Sequence, residues 1–170
     1  MSAGSPRFAS LDEWLQWQET LHPSSIDLGL ERAARVADRL GCRMPAPVVI
    51  SVAGTNGKGS CAALLEAIYS AAGYRVGCYT SPHLLRYNER IRIDGTPIDD
   101  AALCEAFAAV DAGREGTSLS YFEFGTLAAI DLFMAAKTDL VIMEIGLGGR
   151  LDAVNIMQPS VAVITTVAID

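Results

Sequence analysis

The feature that most constrains the fold is the run V-V-I-S-V-A-G-T-N-G-K-G-S at residues 48–60. Its first half is apolar, which predicts a buried strand, and helical spacing follows from Cys61 onward. A strand that passes through a glycine turn into a helix brings free backbone N–H groups and the positive end of the helix dipole to one point. We therefore expect a phosphate-binding cradle at this turn.

Two side chains in the turn favour a nucleotide triphosphate as the ligand. Lys58 can place a point charge on the β- and γ-phosphate oxygens, and Ser60 can offer a hydroxyl to Mg²⁺. The pattern departs from the common phosphate loop G-x-x-x-x-G-K-[ST], because Val52 and Gly59 stand where that pattern needs Gly and a hydroxyl residue. The alternative is a turn that needs glycine only for steric reasons. The lysine and serine at the mouth of the same helix argue against that alternative.

Composition predicts a single domain with a well-filled core. The chain has 170 residues, of which 51% are hydrophobic and 19% are charged. The net charge of −7, without any basic tract, argues against a nucleic-acid-binding face. The four cysteines show no C-x-x-C spacing, and no apolar stretch reaches the roughly 18 residues of a membrane span. We therefore expect no zinc site, no disulfide framework, no membrane contact and a cytoplasmic location.

The order of apolar strands and helices predicts an α/β fold, with a P-loop-type, mostly parallel sheet flanked by helices. Strands are predicted at 48–53, 75–80, 139–144 and 160–167, with a hairpin at 89–98 that turns at Asp94-Gly95. Helices are predicted at 11–20, 61–72, 100–110 and 122–136, and a further helix is capped by Asp27 and ends at Leu40. Ligands of such sheets bind beyond the carboxyl ends of the strands.

Candidate metal ligands fall at these strand ends. Glu144 closes one apolar strand and Ser81 follows another, so both can hold Mg²⁺ together with Ser60. The alternative for Glu144 is a solvated acid at a strand end. His83 either donates to a phosphate or a substrate carboxylate, or makes an ordinary backbone hydrogen bond.

Three further features leave alternatives open. Arg90 and Arg92 alternate with isoleucines, which predicts one mostly solvated strand face, with clamping of an anionic substrate as the minor alternative. The glycines at 146–149 fail the G-x-G-x-x-G fingerprint, so they form either a structural turn or a close approach to a bound group that Asp152 faces. Phe122 either packs in the core or stacks on a flat heterocycle.

Together, these motifs resemble the N-terminal part of the folylpolyglutamate synthase/dihydrofolate synthase family, the folate branch of the Mur ligase superfamily. The resemblance runs from about Leu11 to Asp170. The motifs that carry it lie at 26–32, 52–60, 81–84, 121–126 and 144–152. The first of them looks like the bifunctional bacterial type, which also accepts dihydropteroate.

The resemblance implies ATP-dependent amide ligation. A substrate carboxylate attacks the γ-phosphate of ATP and gives an acyl phosphate and ADP. The amine of L-glutamate then attacks the acyl carbon and expels phosphate. The implied acids are dihydropteroate, which yields dihydrofolate, and folate γ-carboxylates, which yield polyglutamates, and Mg²⁺ is the implied metal.

The resemblance also implies a role for each matching residue. The implied catalytic residues are Lys58 and Glu144. The ATP phosphates are held by Gly54, Thr55, Asn56, Gly57, Lys58, Gly59 and Ser60. The metal is held by Ser60, Ser81 and Glu144. The pterin-bearing substrate is held by Ile26, Leu28, Ser120, Phe122, Asp152 and Ala153. Among these, Phe122 would stack on the pterin and Asp152 would accept its N–H groups.

The chain departs from the family pattern in two respects. Val154 stands where the family often has threonine, which removes a hydroxyl from that position. Family members are also more than twice this length and continue past Asp170 with a metal-binding histidine, a modified lysine, base contacts and a C-terminal domain. We therefore expect residues 1–170 to be the N-terminal portion of the ATP-binding domain, inactive alone and prone to self-association, and the full-length protein to be a monomer.

Three other functions remain open on the sequence. A peptidoglycan-precursor ligase shares the cradle, but the motifs at 26–32 and 121–126 argue against it. A non-catalytic nucleotide-binding module would bind nucleotide and no pterin. A nicotinamide dehydrogenase would leave Lys58 and Ser60 without a role.

Overall fold

The computed structural model describes residues 7–23 and 27–168, which form a six-stranded sheet with helices on both faces. The strands are β1 (Val48–Ala53), β2 (Val76–Tyr79), β3 (Ile91–Ile93), β4 (Thr96–Pro97), β5 (Leu140–Glu144) and β6 (Val161–Ile164). The helices are α1 (Leu11–Thr20), α2 (Glu31–Leu40), α3 (Lys58–Ala71), α4 (Asp100–Arg114) and α5 (Tyr121–Ala136). The predicted α/β fold is confirmed.

The sheet has the order β4-β3-β2-β5-β1-β6, and β2, β5, β1 and β6 run parallel. β3 and β4 form the predicted antiparallel hairpin at one edge. Asp94 and Gly95 both have positive φ angles, as the tight turn of such a hairpin requires. The carboxyl ends of the four parallel strands therefore meet along one edge, where ligands bind in open α/β sheets.

Alternate residues of the central strands belong to two separate cores, because successive strand side chains point to opposite faces. Val49 and Val141 face the side covered by α1, α2, α4 and α5. Ile50 and Ile142 face the smaller core under α3. No helix within residues 7–23 and 27–168 is long and apolar enough to cross a membrane.

The predicted cap of α2 is wrong. The helix begins at Glu31 after Leu30, and no side chain of the described residues caps it. Asp27 binds His22 and Arg32 instead, because the guanidinium of Arg32 makes a stronger hydrogen bond to a carboxylate than a backbone amide does.

The prediction that Arg90 and Arg92 share one solvated strand face is also wrong. Arg90 lies in a 3₁₀ turn, Tyr87–Arg90, that precedes β3, so it does not alternate with Arg92 along one strand. The turn forms because the Glu89 carboxylate accepts three consecutive backbone N–H groups, those of residues 84–86. Arg92 is half-buried and forms an ion pair with Glu66 of α3 at 2.9 Å.

Candidate functional site

The turn between β1 and α3 has the predicted strand–turn–helix form. Gly57 has a φ of 83° and immediately precedes the helix. The first intrahelical bond runs from the Cys61 N–H to the Gly57 carbonyl at 2.9 Å. The N–H groups at residues 58–60 belong to the first turn and have no acceptor within the helix, so they can bind an anion.

Gly54 occupies a position that admits no side chain. Its φ is 136°, and a Cβ placed there would overlap the Thr165 hydroxyl. That hydroxyl lies 3.0 Å from the Ala53 carbonyl oxygen and 2.8 Å from that of Asn56. Glycine is therefore needed here for a close approach between the loop and the segment that follows β6.

The segment after β6 also occupies two amides of the loop. The Thr166 carbonyl accepts the Thr55 N–H at 2.8 Å and the Asn56 N–H at 3.4 Å. The Ala168 N–H donates to the Thr55 hydroxyl at 3.2 Å. Two of the loop amides expected to bind phosphate are therefore occupied, whereas those at the start of α3 are free within the described residues. Thr165 and Thr166 were not predicted as site residues, and their only signal in the sequence is their place at the end of the last predicted strand.

Lys58 folds back over this loop. Its Nζ donates to the carbonyl oxygens of Gly54 at 2.8 Å and Thr55 at 3.3 Å. Both partners are neutral acceptors, so the ammonium charge has no ion-pair partner among the described residues. The charge therefore lies beside the amides that can bind an anion, as the phosphate prediction requires.

A cavity of about 580 Å³ opens beside Lys58 at the carboxyl ends of β2 and β5. Seven residues predicted for the phosphate, metal or substrate sites line it: Lys58, Ser81, Leu28, Ser120, Phe122, Asp152 and Ala153. The wall also contains charged residues that were not predicted as site residues: Asp27, Arg90 and Glu123. Ser60 and Glu144 do not line the cavity, and Ile26 lies outside the described residues.

Glu144 supplies a buried carboxylate behind the cavity wall. It is 4% exposed, and its Oε2 accepts the Ser81 N–H at 3.1 Å. Burial raises the pKa of Glu144, although the Ser81 amide, Lys58 and Arg92 act in the opposite direction. A carboxylate whose charge is only partly compensated fits a cation, and the Ser81 hydroxyl is a further oxygen donor nearby.

These donors fit a Mg²⁺ ion only in part. No three His, Cys, Asp or Glu side chains cluster as a metal site within residues 7–23 and 27–168. One carboxylate and the hydroxyls of Ser60 and Ser81 are hard oxygen donors, and Ser60 is exposed on the first turn of α3. Mg²⁺ is usually held in this way, by one or two protein oxygens together with waters and substrate phosphates.

The carboxylate of Asp152 organises the glycine turn. Its Oδ2 accepts the N–H groups of Gly146 at 3.0 Å and Leu147 at 2.9 Å, and its Oδ1 accepts that of Val154 at 2.9 Å. Burial raises the pKa of Asp152, and these three hydrogen bonds oppose the rise. A carboxylate can accept about four hydrogen bonds, so one site remains for a ligand. The interaction with pterin N–H groups stays a prediction.

The start of α5 forms the opposite wall. Ser120 caps the helix in a reciprocal pair with Glu123, whose carboxylate accepts the Ser120 N–H at 2.7 Å. Phe122 is half-buried, and its ring centroid lies 5.8 Å from that of Tyr79. A Cβ at Gly146 would lie 3.0 Å from the Phe122 ring, so the glycine turn packs directly on this aromatic side chain. The wall therefore presents a fixed aromatic surface to the cavity.

The wall near Asp27 is held by charged groups from three elements. The carboxylate accepts a hydrogen bond from His22 Nε2 at 2.9 Å and binds Arg32 of α2. Arg32 also contacts the Glu123 carboxylate of α5 at 3.2 Å. The hydrogen bond from His22 is the main cause that lowers the pKa of Asp27. This network was not foreseen: His22 and Arg32 are each five residues from Asp27, but Glu123 is distant in sequence.

His83 makes no hydrogen bond to the backbone among the described residues, and its donation to a phosphate or substrate carboxylate stays a prediction. Its Nδ1 lies 2.8 Å from Arg90 Nε and accepts the hydrogen bond, because an arginine nitrogen can only donate. Burial, and then the positive charge of Arg90, lower the pKa of His83. Its ring is therefore neutral near pH 7.

No family model matches the sequence. The sequence is 53% identical over 167 residues to the dihydrofolate synthase/folylpolyglutamate synthase of Escherichia coli K12. The aligned region covers 98% of this chain and 40% of that protein. The structure of E. coli FolC in complex with DHPP and ADP matches with a TM-score of 0.94 at 52% identity, over 100% of this chain and 40% of that one.

A second solved structure is a bifunctional folylpolyglutamate synthase/dihydrofolate synthase with Mn, AMPPNP and L-glutamate bound. It matches with a TM-score of 0.90 at 54% identity, over 100% of this chain and 40% of that one. The chain thus spans about 40% of the length of the curated E. coli relative.

Proposed function

The chain is related in sequence and fold to the N-terminal part of the bifunctional folylpolyglutamate synthase/dihydrofolate synthases, and on that premise we propose that it carries the phosphate loop and the acid-binding pocket of an ATP-dependent ligase. The proposed reaction joins L-glutamate to dihydropteroate and to the γ-carboxylate of folates. One observation carries the proposal: Lys58 of the phosphate loop, Phe122 of α5 and Ser120, which caps α5, line a single cavity. A module that only bound nucleotide would not need the second group.

In the proposed first step, this chain contributes placement and charge neutralisation. A carboxylate oxygen of the acid attacks the γ-phosphorus of ATP, and ADP leaves with the electron pair of the broken P–O bond. The N–H groups at the start of α3 bind phosphate oxygens, and Lys58 exchanges its two carbonyl partners for charged phosphate oxygens. Hydrogen bonds between two ions are stronger than those that Lys58 makes with the loop, so the exchange favours binding.

In the proposed second step, the acyl phosphate reacts with L-glutamate. The amine attacks the acyl carbon, phosphate leaves, and the nitrogen loses a proton to give the amide. The structure of a relative with L-glutamate and AMPPNP bound supports glutamate as the amine. The cavity contributes by holding the acid end close to the phosphate loop.

Mg²⁺, when bound, supplies further neutralisation of the phosphate charge. We propose that Ser60, Ser81 and Glu144 of this chain hold it, in agreement with the oxygen donors that they provide and with the Mn present in a relative. The role of Glu144 does not require that it line the cavity, since it is in contact with Ser81, which does.

The proposed acid lies against the wall formed by α5 and the glycine turn. Leu28, Phe122 and Ala153 offer apolar surface to a flat ring system, and Ser120 and Asp152 offer polar atoms beside it. Ile26 is proposed for the same site from the resemblance alone. The presence of DHPP in a relative supports a substrate of this class.

We propose that residues 1–170 form the N-terminal portion of an ATP-binding domain of the Mur ligase type. We also propose that the protein acts in the cytoplasm, as its relation to these folate synthases suggests.

Calorimetric titration of the 170-residue chain with Mg-ATP, and separately with dihydropteroate, tests the proposal. We expect both to bind. Lys58→Ala should lower the affinity for Mg-ATP by about tenfold or more, because it removes charge-assisted hydrogen bonds. It should leave the affinity for dihydropteroate unchanged. Phe122→Ala should lower the affinity for dihydropteroate and leave the affinity for Mg-ATP unchanged. Lys137→Ala is the matched control, because Lys137 is an exposed lysine at the far end of α5.

The outcomes separate the candidate functions. Binding of Mg-ATP without dihydropteroate would indicate a nucleotide-binding module. Binding of dihydropteroate without Mg-ATP would contradict the role of the phosphate loop. Absence of both would contradict the whole proposal.

A further inference from the structure

The side chain of Arg90 is held at the cavity wall by contacts that leave the end of its guanidinium group free. Its Nε donates to His83 Nδ1 at 2.8 Å. Its guanidinium carbon lies 5.4 Å from the centroid of the Tyr87 ring and 5.9 Å from that of Tyr121. Its backbone is fixed as well, since the Arg90 carbonyl accepts the Thr80 N–H at 2.9 Å. The side chain is therefore oriented without the help of a ligand.

None of the groups that hold Arg90 neutralises its charge. Burial and the neighbouring guanidinium lower the pKa of His83, so the imidazole is neutral near pH 7. Burial raises the pKa of both Tyr87 and Tyr121 above their usual value, so neither phenol ionises there. Arginine itself stays protonated at this pH.

The other half-buried arginines near the cavity differ from Arg90 in this respect. Arg32 forms ion pairs with Asp27 and Glu123, and Arg92 forms one with Glu66. Arg90 has no ion pair within residues 7–23 and 27–168, and its two terminal nitrogens have no hydrogen-bond acceptor there. Arg90 is thus a positioned cation in the cavity wall whose terminal donors are unused.

We propose that the terminal nitrogens of Arg90 bind the oxyanion at the reacting end of the acid substrate, an inference that rests on the function proposed above. The planar fork of an arginine matches a carboxylate with two parallel hydrogen bonds, which fixes direction as well as distance. The cavity wall holds one other cation, Lys58, and that residue belongs to the phosphate loop. The two cations thus suit the two anions that the reaction brings together.

The rest of the wall agrees with this arrangement. Phe122 and Leu28 offer apolar surface for the ring system of an acid, whereas a second phosphate chain would gain nothing from them. The γ-phosphate of ATP is the other oxyanion with chemistry that suits Arg90. The experiment therefore measures the two ligands separately.

The test uses three substitutions of Arg90 and a matched control. Arg90→Ala removes the side chain, Arg90→Gln keeps donors without charge, and Arg90→Lys keeps charge without the fork. Arg86→Ala is the control, because Arg86 is an exposed arginine paired with Asp100 and does not line this cavity. Calorimetry of each variant gives the affinities for dihydropteroate, for its carboxamide analogue and for Mg-ATP, and thermal unfolding identifies any variant that does not fold.

We expect Arg90→Ala and Arg90→Gln to lower the affinity for dihydropteroate by about 10- to 100-fold, as the loss of a charge-assisted pair predicts. Arg90→Lys should lower this affinity less. The carboxamide analogue and Mg-ATP should keep their affinities in all three variants. Arg86→Ala should leave all affinities unchanged.

Three results would overturn the inference. An equal loss for dihydropteroate and the carboxamide would show that Arg90 only supports the wall. A loss confined to Mg-ATP would assign Arg90 to the γ-phosphate. An unchanged affinity for dihydropteroate would show that the acid does not reach it. If the unsubstituted chain bound no dihydropteroate, the proposed function would itself fail, which is a separate outcome.

Discussion

The two faces of the sheet differ in how they hold the two halves of the candidate site. The face covered by α1, α2, α4 and α5 buries Trp14, Phe107 and Phe124 completely. The face covered by α3 has a small core, and Leu64 of that helix is 63% exposed. The substrate wall belongs to the first face through α5, and the phosphate loop belongs to the second through α3.

This difference shows two ways of positioning functional groups. The aromatic wall at Phe122 is held by packing on a dense core, so buried side chains fix its position. The phosphate loop adjoins the smaller of the two cores, and it is held by hydrogen bonds from the segment after β6. Substitutions in the packed core should therefore lower mainly the free energy of unfolding, whereas substitutions in the loop should also lower the affinity for Mg-ATP.

The largest expected effect is on the dense face. Trp14→Ala should lower the free energy of unfolding by about 3–5 kcal/mol, the usual cost of deleting a fully buried tryptophan. Leu64→Ala on the opposite face should change it by less than about 0.5 kcal/mol, because that side chain is largely in water. Urea unfolding followed by circular dichroism measures both. Equal losses would show that the two faces are packed alike.

The next effect is on the loop. Gly54→Ala should destabilise the protein by about 1–3 kcal/mol and weaken Mg-ATP, because the new Cβ combines a positive φ with a clash against Thr165. Gly57→Ala is the matched variant, since its φ is also positive but open space surrounds it, and it should cost less. Thermal unfolding and calorimetry measure these effects. A loss of dihydropteroate affinity in Gly54→Ala equal to that of Mg-ATP would contradict the separate support of the two halves.

A smaller effect is expected from the segment after β6. Thr165→Val keeps the shape but removes the hydroxyl that contacts the Ala53 and Asn56 carbonyls, at a cost of about 1 kcal/mol. Mg-ATP affinity should fall by a few fold, while dihydropteroate affinity stays constant. Thr96→Val, at an exposed position of β4, serves as the control and should change neither. Unchanged Mg-ATP affinity in Thr165→Val would show that the loop does not depend on this hydroxyl.

The smallest effect is a pH dependence on the dense face. Asp131 of α5 is half-buried, and burial raises its pKa above the usual value of 3.8. The folded state therefore binds this proton more tightly than the unfolded state, so the ionised carboxylate lowers stability at neutral pH. Asp131→Asn should be more stable than the parent chain at pH 7, and this advantage should shrink as the pH falls toward 3.8. Thermal unfolding from about pH 4 to pH 7 measures it, and a difference that does not vary with pH would rule out burial of the ionised carboxylate as the cause.

Much of the fold could be predicted because its signals are local. The apolar strands before the glycine turns and the Asp94-Gly95 hairpin formed where expected. Helix ends were less accurate, since α4 continues to Arg114 rather than ending near Val110. The prediction for Asp27 failed because Arg32 and His22 compete with the helix for its carboxylate.

About half of the candidate cavity could also be predicted, although through the resemblance to a family rather than from spacing. Seven of the predicted residues line one cavity. The unforeseen parts are Asp27, Glu123 and the threonines after β6, and anion binding by Arg90 was only the minor alternative. In each case the decisive neighbour lies in another element, so no pattern of adjacent residues reveals it.

The sequence by itself determined the strand–turn–helix at the phosphate loop, because backbone conformation depends on residues close along the chain. Only the tertiary structure decided which groups are left free to bind a ligand. Thr166 occupies the amide of Thr55, Glu66 neutralises Arg92, and no carboxylate in the described residues reaches Arg90. Charges and amides are satisfied by whichever partner the fold brings within hydrogen-bond distance, and these partners are far apart in the chain.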